Sequence, residues 1–443
     1  MSNLYKVVIF VVSFFIQLEV NSAIKFSERL EEYSLSNGLK VILIKDNRSP
    51  SVVNSIWYKV GSSHEKPGIT GISHILEHMM FKGTKKFATG EFSSVIKKMG
   101  GTENGFTSKD YTGYFQKIHK SNLERCIELE ADRMKNLKFN DQEILSEIEV
   151  VKEERRLRTE DNPISKTFEK IMLNAYGMNN YGIPIIGTMK DIGSITKSDL
   201  KAWYRTHYQP NNAIVIIAGN FESKKVKNYI NKYYGLIKTY KQSNNEGDNI
   251  NFSTKKNFEI FDKVSKSIVF IGFKKPKFDQ DKSREYYALE IFIEIMDGGY
   301  SSRLTKNLVN TKKIALDTFI SNDTYNQHPN LIIIGGTPRG NISNEEFEKS
   351  ILNEFSLENI EKITMDEVTS AKARIKAANI YKFDSVLNQA MQVGMLEAKG
   401  IGWKQLDKYT NIIDSITLKE IKKAGKVYFN KDDMLTTILR PEK

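Results

Sequence analysis

The sequence predicts an α+β protein built from two similar halves. Three observations carry this expectation. Strand-like apolar runs and helix-like periodicities follow one another in the same order twice along the 443 residues. Residues 194–218 (SITKSDLKAWYRTHYQPNNAIVIIA) align without a gap to 415–439 (SITLKEIKKAGKVYFNKDDMLTTIL), and the resulting offset is half the chain. Both segments open on SIT, continue with an acid-hydrophobe-Lys step and carry an aromatic at Tyr208 or Phe429, which points to internal duplication. Between the halves, 238–256 contains QSNNEGDN and almost nothing to bury, as expected of a linker.

The elements follow in order. Residues 1–23 read as a secretory signal peptide. Lys6 precedes the apolar run 7–16, which ends at Gln17 and Glu19 before Asn21-Ser22-Ala23, so cleavage is expected after Ser22 or Ala23. The run is well short of the ~20 apolar residues of a spanning helix. Export to the periplasm without stable membrane insertion is the expectation. In the first half, 24–237, the stretch 29–60 reads as two strands: 33–46, with an Asn37-Gly38 turn inside it, and 52–60, which alternates polar and apolar positions. Helical patterns cover 71–82, 91–99, 121–137, 141–160, 163–175 and 196–206. A hairpin is expected at 101–118, a buried strand at 213–218 and an amphipathic helix at 223–237. The second half, 257–443, repeats the order: strands near 258–275, a helix over 283–297, strands over 313–337, helices from 344 to 427 and a final strand at 434–439.

Composition narrows the class. A chain that is 40% hydrophobic and 11% aromatic can bury sizeable cores, which excludes wholesale disorder. The single cysteine, Cys126, excludes an internal disulfide framework and a CxxC metal knuckle, and reads as a buried small hydrophobe. Lys plus Arg is 66 against 54 for Asp plus Glu, and the excess is overwhelmingly Lys. Phosphate readers favour Arg, and no Gly-rich loop or aromatic-basic repeat accompanies the charge, so no nucleic-acid partner is expected.

The chemistry concentrates in 71–82, GISHILEHMMFK. His74 and His78 are four apart, on one helix face and within reach of a single ion. Glu77 sits beside that face, placed to take a proton from a water activated there. The spacing H-x-x-E-H is the inverse of the HExxH zinc motif. Flanking Ile72, Ile75, Leu76, Met79 and Met80 require this helix to be largely buried, and buried His and Glu need a partner. His64, His119, His207 and His328 have no spacing to the motif and read as structural or solvated. A catalytic zinc takes three protein ligands and keeps one position open. The third should be a carboxylate from another element, and the helix 141–160 offers Glu147, Glu149, Glu153 and Glu154, among which spacing does not choose.

At HILEH and EIEVVKEE the chain resembles the M16 zinc metallopeptidases, in their short, bacterial processing-peptidase-like branch. The resemblance extends through GSSHEKPGITGISHILEHMMFKGT (61–84), GGTENGFTSKDYTGYF (100–115), YQPNNAIVIIAGNF (208–221) and GGYSSRL (298–304). It implies a mixed α/β roll in each half, an antiparallel-rich sheet with helices packed on one face. It implies one Zn2+ per chain held by His74, His78 and Glu154, with Glu77 catalytic and Glu147 supporting the site. Asn104 and Thr107 match the family's substrate-binding Asn-x-x-Thr on an edge strand. The implied activity is that of a zinc endopeptidase whose extended peptide substrate is added to the sheet edge as a strand; a non-catalytic scaffold is the alternative. One stretch departs from the family: Val309 and Leu316 stand where many relatives have a substrate-binding Arg and Tyr, and 283–299 contains no His. The resemblance therefore implies a heterodimer with a metal-free M16-like subunit that donates those groups, a homodimer being the alternative.

Overall fold

The computed structural model describes residues 26–240, 257–431 and 434–442. The expected signal peptide and nearly all of the expected linker lie outside the described residues. The first half runs β1 (Leu30–Ser34), β2 (Lys40–Lys45), β3 (Ser51–Tyr58), α1 (Ile72–Met79), α2 (Glu91–Lys98), β4 (Thr102–Thr107), β5 (Thr112–His119), α3 (Leu123–Asn136), α4 (Asp141–Arg155), α5 (Pro163–Tyr176), α6 (Met189–Ser194), α7 (Lys197–His207), β6 (Ala213–Gly219) and α8 (Ser223–Tyr234). The second runs β7 (Phe258–Asp262), β8 (Ile268–Lys275), α9 (Ser283–Asp297), β9 (Ala315–Ser321), β10 (Asn330–Pro338), α10 (Asn344–Glu354), α11 (Leu357–Glu361), α12 (Met365–Lys382), α13 (Val386–Ala398), α14 (Lys404–Ser415), α15 (Leu418–Tyr428) and β11 (Met434–Pro441).

The stretch 29–60 forms three strands rather than two. The Asn37-Gly38 turn folds β2 back on β1 in antiparallel register, Leu30 opposite Ile44, and the Asn37 side-chain amide donates to the Tyr234 carbonyl at 2.8 Å. The first sheet has the order β1-β2-β6-β3-β5-β4 and the second β7-β11-β8-β10-β9. In each, one neighbouring pair is parallel, β2–β6 and β7–β11, and the rest are antiparallel. Apart from the extra strand β1, the two orders coincide. The SIT repeat has a structural meaning: Thr196 and Asp199 cap α7 reciprocally, and Thr417 and Glu420 do the same for α15. The two halves thus share a helix start as well as a strand order.

Helices of each half pack one face of its own sheet; in the first half Val41, Val52, Ile56 and Val215 meet Ile75, Leu76 and Ile127. The opposite face is covered from the other half. Trp57, Ile214 and Ile216 pack against Ala390 and Val393 of α13. Reciprocally, Ile171 and Ala175 of α5 lie on Phe270, Ile333 and Leu435 of the second sheet. Gly394 makes the first contact close: a Cβ there would come within 2.0 Å of the Trp57 ring. Consequently β3 is buried on both faces, although its sequence alternates. Strand β4 ends the first sheet and, among the described residues, pairs only with β5. No described helix is long and apolar enough to cross a membrane.

Candidate active site

Helix α1 turns Ile72, Ile75, Leu76 and Met79 into the core, which leaves His74 and His78 directed at α4. Its N-terminus is held by Glu65, whose buried carboxylate accepts from Gly71 N at 2.7 Å and Ser73 N at 2.8 Å. Burial pushes the Glu65 carboxyl up to about 7, opposed by those two amides. Asn140 caps α4 through Gln142 N and Glu143 N, and Ile144, Ile148 and Val151 seat it in the core. That seating divides the four glutamates into two pairs. Glu147 and Glu154 face α1, whereas Glu149 and Glu153 face solvent and pair with Lys152 and Arg156.

His74, His78 and Glu154 offer donor atoms within 4.8 Å of one another. Glu154 Oε2 lies 3.7 Å from His74 Nε2 and 3.5 Å from His78 Nε2. Ligands about 2.1 Å from a tetrahedral ion stand about 3.4 Å apart, so this donor set fits zinc in spacing and in chemistry. His78 Nδ1 lies 3.1 Å from Glu147 Oε2; donating there leaves the Nε2 lone pair facing Glu154. Lys82 engages the other Glu147 oxygen. Burial, reinforced by the His78 charge, holds His74 down to about 4. Burial also opposes protonation of His78, but Glu147 and Glu154 outweigh it and bring that ring up to about 9.

Glu77 lies beside this set without belonging to it. Thr107 Oγ1 donates to Glu77 Oε2 at 2.6 Å, and the missing side chain of Gly105 makes room, since a Cβ there would stand 3.0 Å from Glu77 Oε1. Burial raises the Glu77 carboxyl above its usual range, and the Thr107 hydrogen bond partly offsets this. Asn104 is exposed on β4; it lines the same cleft and accepts from Gly105 N, but does not reach Glu77. The cleft, about 770 Å³, is also lined by Phe168 and Met172 of α5 and by Pro184, Ile185 and Ile186. All seven residues singled out from the sequence therefore line or support one cleft. Val309 and Leu316 do not line it: Val309 packs on the second-half core and Leu316 is partly exposed on β9.

Sequence reasoning missed Glu65 and Arg158. Arg158 NH1 pairs with Glu154 Oε1 at 2.7 Å, and its spacing of four from Glu154 was the available signal. The expected helix 141–160 ends as α4 at Arg155 and continues as a π-helical turn, Arg156–Glu160, which no local pattern announces. For Glu65 the sequence carries no comparable signal.

Comparison with known proteins identifies the family. The family profile "Insulinase (Peptidase family M16)" matches 40–189, and "Peptidase M16 inactive domain" matches 194–375. The chain is 31% identical to the zinc protease PqqE of Helicobacter pylori over 93% of both chains. It is 26% identical to the uncharacterized zinc protease YmxG of Bacillus subtilis over 92% of this chain and 98% of that one. The crystal structure of a protease from Helicobacter pylori superposes with a TM-score of 0.86 at 30% identity, covering 93% of this chain and 99% of that one. The periplasmic protease PqqL of Escherichia coli shares the fold, with a TM-score of 0.79 at 18% identity, over 94% of this chain and 48% of that one. With 31% identity to PqqE over 93% of both chains, and with family profiles matching 40–189 and 194–375, this chain belongs to the M16 peptidase family.

Proposed function

We propose that this protein is a zinc-dependent endopeptidase acting on extended peptides or unfolded segments. The observation that carries the reading is the convergence of His74 Nε2, His78 Nε2 and Glu154 Oε2, with Glu77 beside them on the same helix. These three side chains would hold one zinc per chain. When bound, the ion supplies Lewis acidity that polarises the scissile carbonyl and makes a water nucleophilic near neutral pH. Glu77 takes the proton from the attacking water and delivers it to the leaving amine, a task suited to a carboxyl whose affinity for protons is raised by burial. Thr107 fixes the second Glu77 oxygen, and Glu147 orients the His78 ring. The unpaired edge of β4 receives the substrate as an added strand, with Asn104 beside it.

The departures at Val309 and Leu316 support a second proposal, that a metal-free M16-like subunit completes the carbonyl side of the site. The periplasmic location named for PqqL and the apolar run at 7–16 support export, with cleavage near Ser22 or Ala23. The test is to assay unfolded peptides with the chain alone and with a metal-free homologue, with and without chelator. Chelation is expected to abolish hydrolysis. Glu77→Gln is expected to lower kcat by about a thousandfold while zinc content stays the same. Undiminished hydrolysis by Glu77→Gln overturns the mechanism, and full activity of the chain alone overturns the paired-subunit proposal.

A further inference from the structure

We propose that Arg158 reads an acidic side chain of the peptide next to the cleaved bond. This rests on the peptidase reading above and adds the substrate class to it. The π-helical turn Arg156–Glu160 directly follows α4 and carries Arg158, four residues after Glu154. Arg158 emerges 75% exposed at the cleft, with NH1 2.7 Å from Glu154 Oε1. The other oxygen of that carboxylate faces both imidazoles. The guanidinium thus stands one carboxylate's width from the donor cluster. Neighbouring residues of an extended peptide are about 3.8 Å apart at Cα, so a side chain adjacent to the scissile bond reaches it.

The charges around the cleft favour an anionic partner for this arginine. Three carboxylates line it, Glu77, Glu154 and Glu169, against Lys109 and Arg158. Glu169 is already engaged by both terminal nitrogens of Arg155, at 2.8 and 3.0 Å. The Lys109 ammonium donates to the Ile183 carbonyl. Glu154 is the carboxylate whose charge a divalent ion would take up, which weakens its hold on Arg158. Of the two cations in the described lining, Arg158 is the one that stands 75% exposed with guanidinium donors beyond the Glu154 contact, and a planar fork of N–H groups suits a carboxylate. A role limited to orienting Glu154 is the competing account, and it makes different predictions.

Peptides identical except for Glu, Gln or Lys at the two positions on either side of the cleaved bond distinguish them. Each is measured for kcat/KM with the zinc-loaded full chain as wild type, Arg158→Gln and Arg158→Glu. Fluorescence anisotropy on the Glu77→Gln background measures binding of the same peptides, and atomic absorption measures zinc content. At one position, wild type is expected to prefer Glu over Lys by about tenfold in both measurements. The preference is expected to disappear in Arg158→Gln and to invert in Arg158→Glu, with zinc content unchanged. Absence of any charge preference in wild type overturns the proposal, as does a preference that survives in Arg158→Glu. Loss of zinc in Arg158→Gln with the preference intact overturns it in favour of the orienting role. Peptide binding with the expected preference but no hydrolysis by wild type supports the Arg158 assignment and counts against the peptidase reading alone.

Discussion

Thr107 on the edge strand β4 donates its hydroxyl to Glu77 on α1 at 2.6 Å, so the strand proposed to receive substrate also holds the proposed base. The family resemblance implies substrate binding for Thr107; the structure gives it a partner inside the protein. These two roles separate kinetically. Thr107→Val keeps the shape and removes the donor, and loss of a hydrogen bond to a charged group corresponds to about tenfold or more in rate. The expected outcome is a lower kcat with KM and zinc content unchanged, measured by steady-state kinetics and metal analysis. A raised KM at constant kcat would assign Thr107 to the peptide instead.

Glu147 touches no reacting atom, but it accepts from His78 Nδ1 at 3.1 Å and holds Lys82 with its other oxygen. Glu147→Gln retains an acceptor for the imidazole but loses the charge that fixes its orientation and strengthens its basicity. Zinc affinity is expected to fall about ten- to a hundredfold, measured by competition with a chromophoric chelator. At saturating zinc much of the activity should return, whereas Glu77→Gln should not recover at any zinc concentration.

Local chemistry was legible in the sequence and long-range covering was not. His74, Glu77 and His78 sit within five residues of one helix, so spacing alone sets their common neighbourhood. The two SIT segments announced the duplication because each encodes a reciprocal cap, Thr196 with Asp199 and Thr417 with Glu420. Spacing alone leaves Glu147, Glu149, Glu153 and Glu154 open and only the family resemblance implies Glu154; the face of α4 that Ile144, Ile148 and Val151 bury separates Glu147 and Glu154 from the other two, and in a helix so rich in charge that face is poorly marked. Strand β3 shows the other limit. Its alternation identifies one core face, yet Trp57 on the opposite face is buried by α13, more than three hundred residues later in the chain. Nothing near Trp57 encodes that contact. It is set by Gly394, whose missing side chain admits the indole.

The halves are also joined by Asp46, which supports a prediction about acid stability. Its buried carboxylate accepts from Arg48 Nε at 2.9 Å and from Gln389 Nε2 of α13 at 2.8 Å. Arg48 in turn reaches the Asp384 carboxylate at 3.0 Å. The Arg48 hydrogen bonds, helped by Gln389 and opposed by burial, hold the Asp46 carboxyl down to about 2. An unfolded aspartate titrates near 3.9. Because the folded value is the lower one, the folded state binds the proton less readily. The resulting stabilisation is fully present above about pH 4 and is lost as pH falls through about 2. Allowing for the solvent around Arg48, it amounts to about 1–2 kcal/mol. Asp46→Asn is expected to lower stability by that amount at pH 7, and by progressively less between pH 4 and pH 2. Urea unfolding at pH 7 and pH 3 measures the difference. A deficit that is the same at both would mean that Asp46 acts through shape alone, and that its ionised carboxylate does not hold α13 to the first sheet.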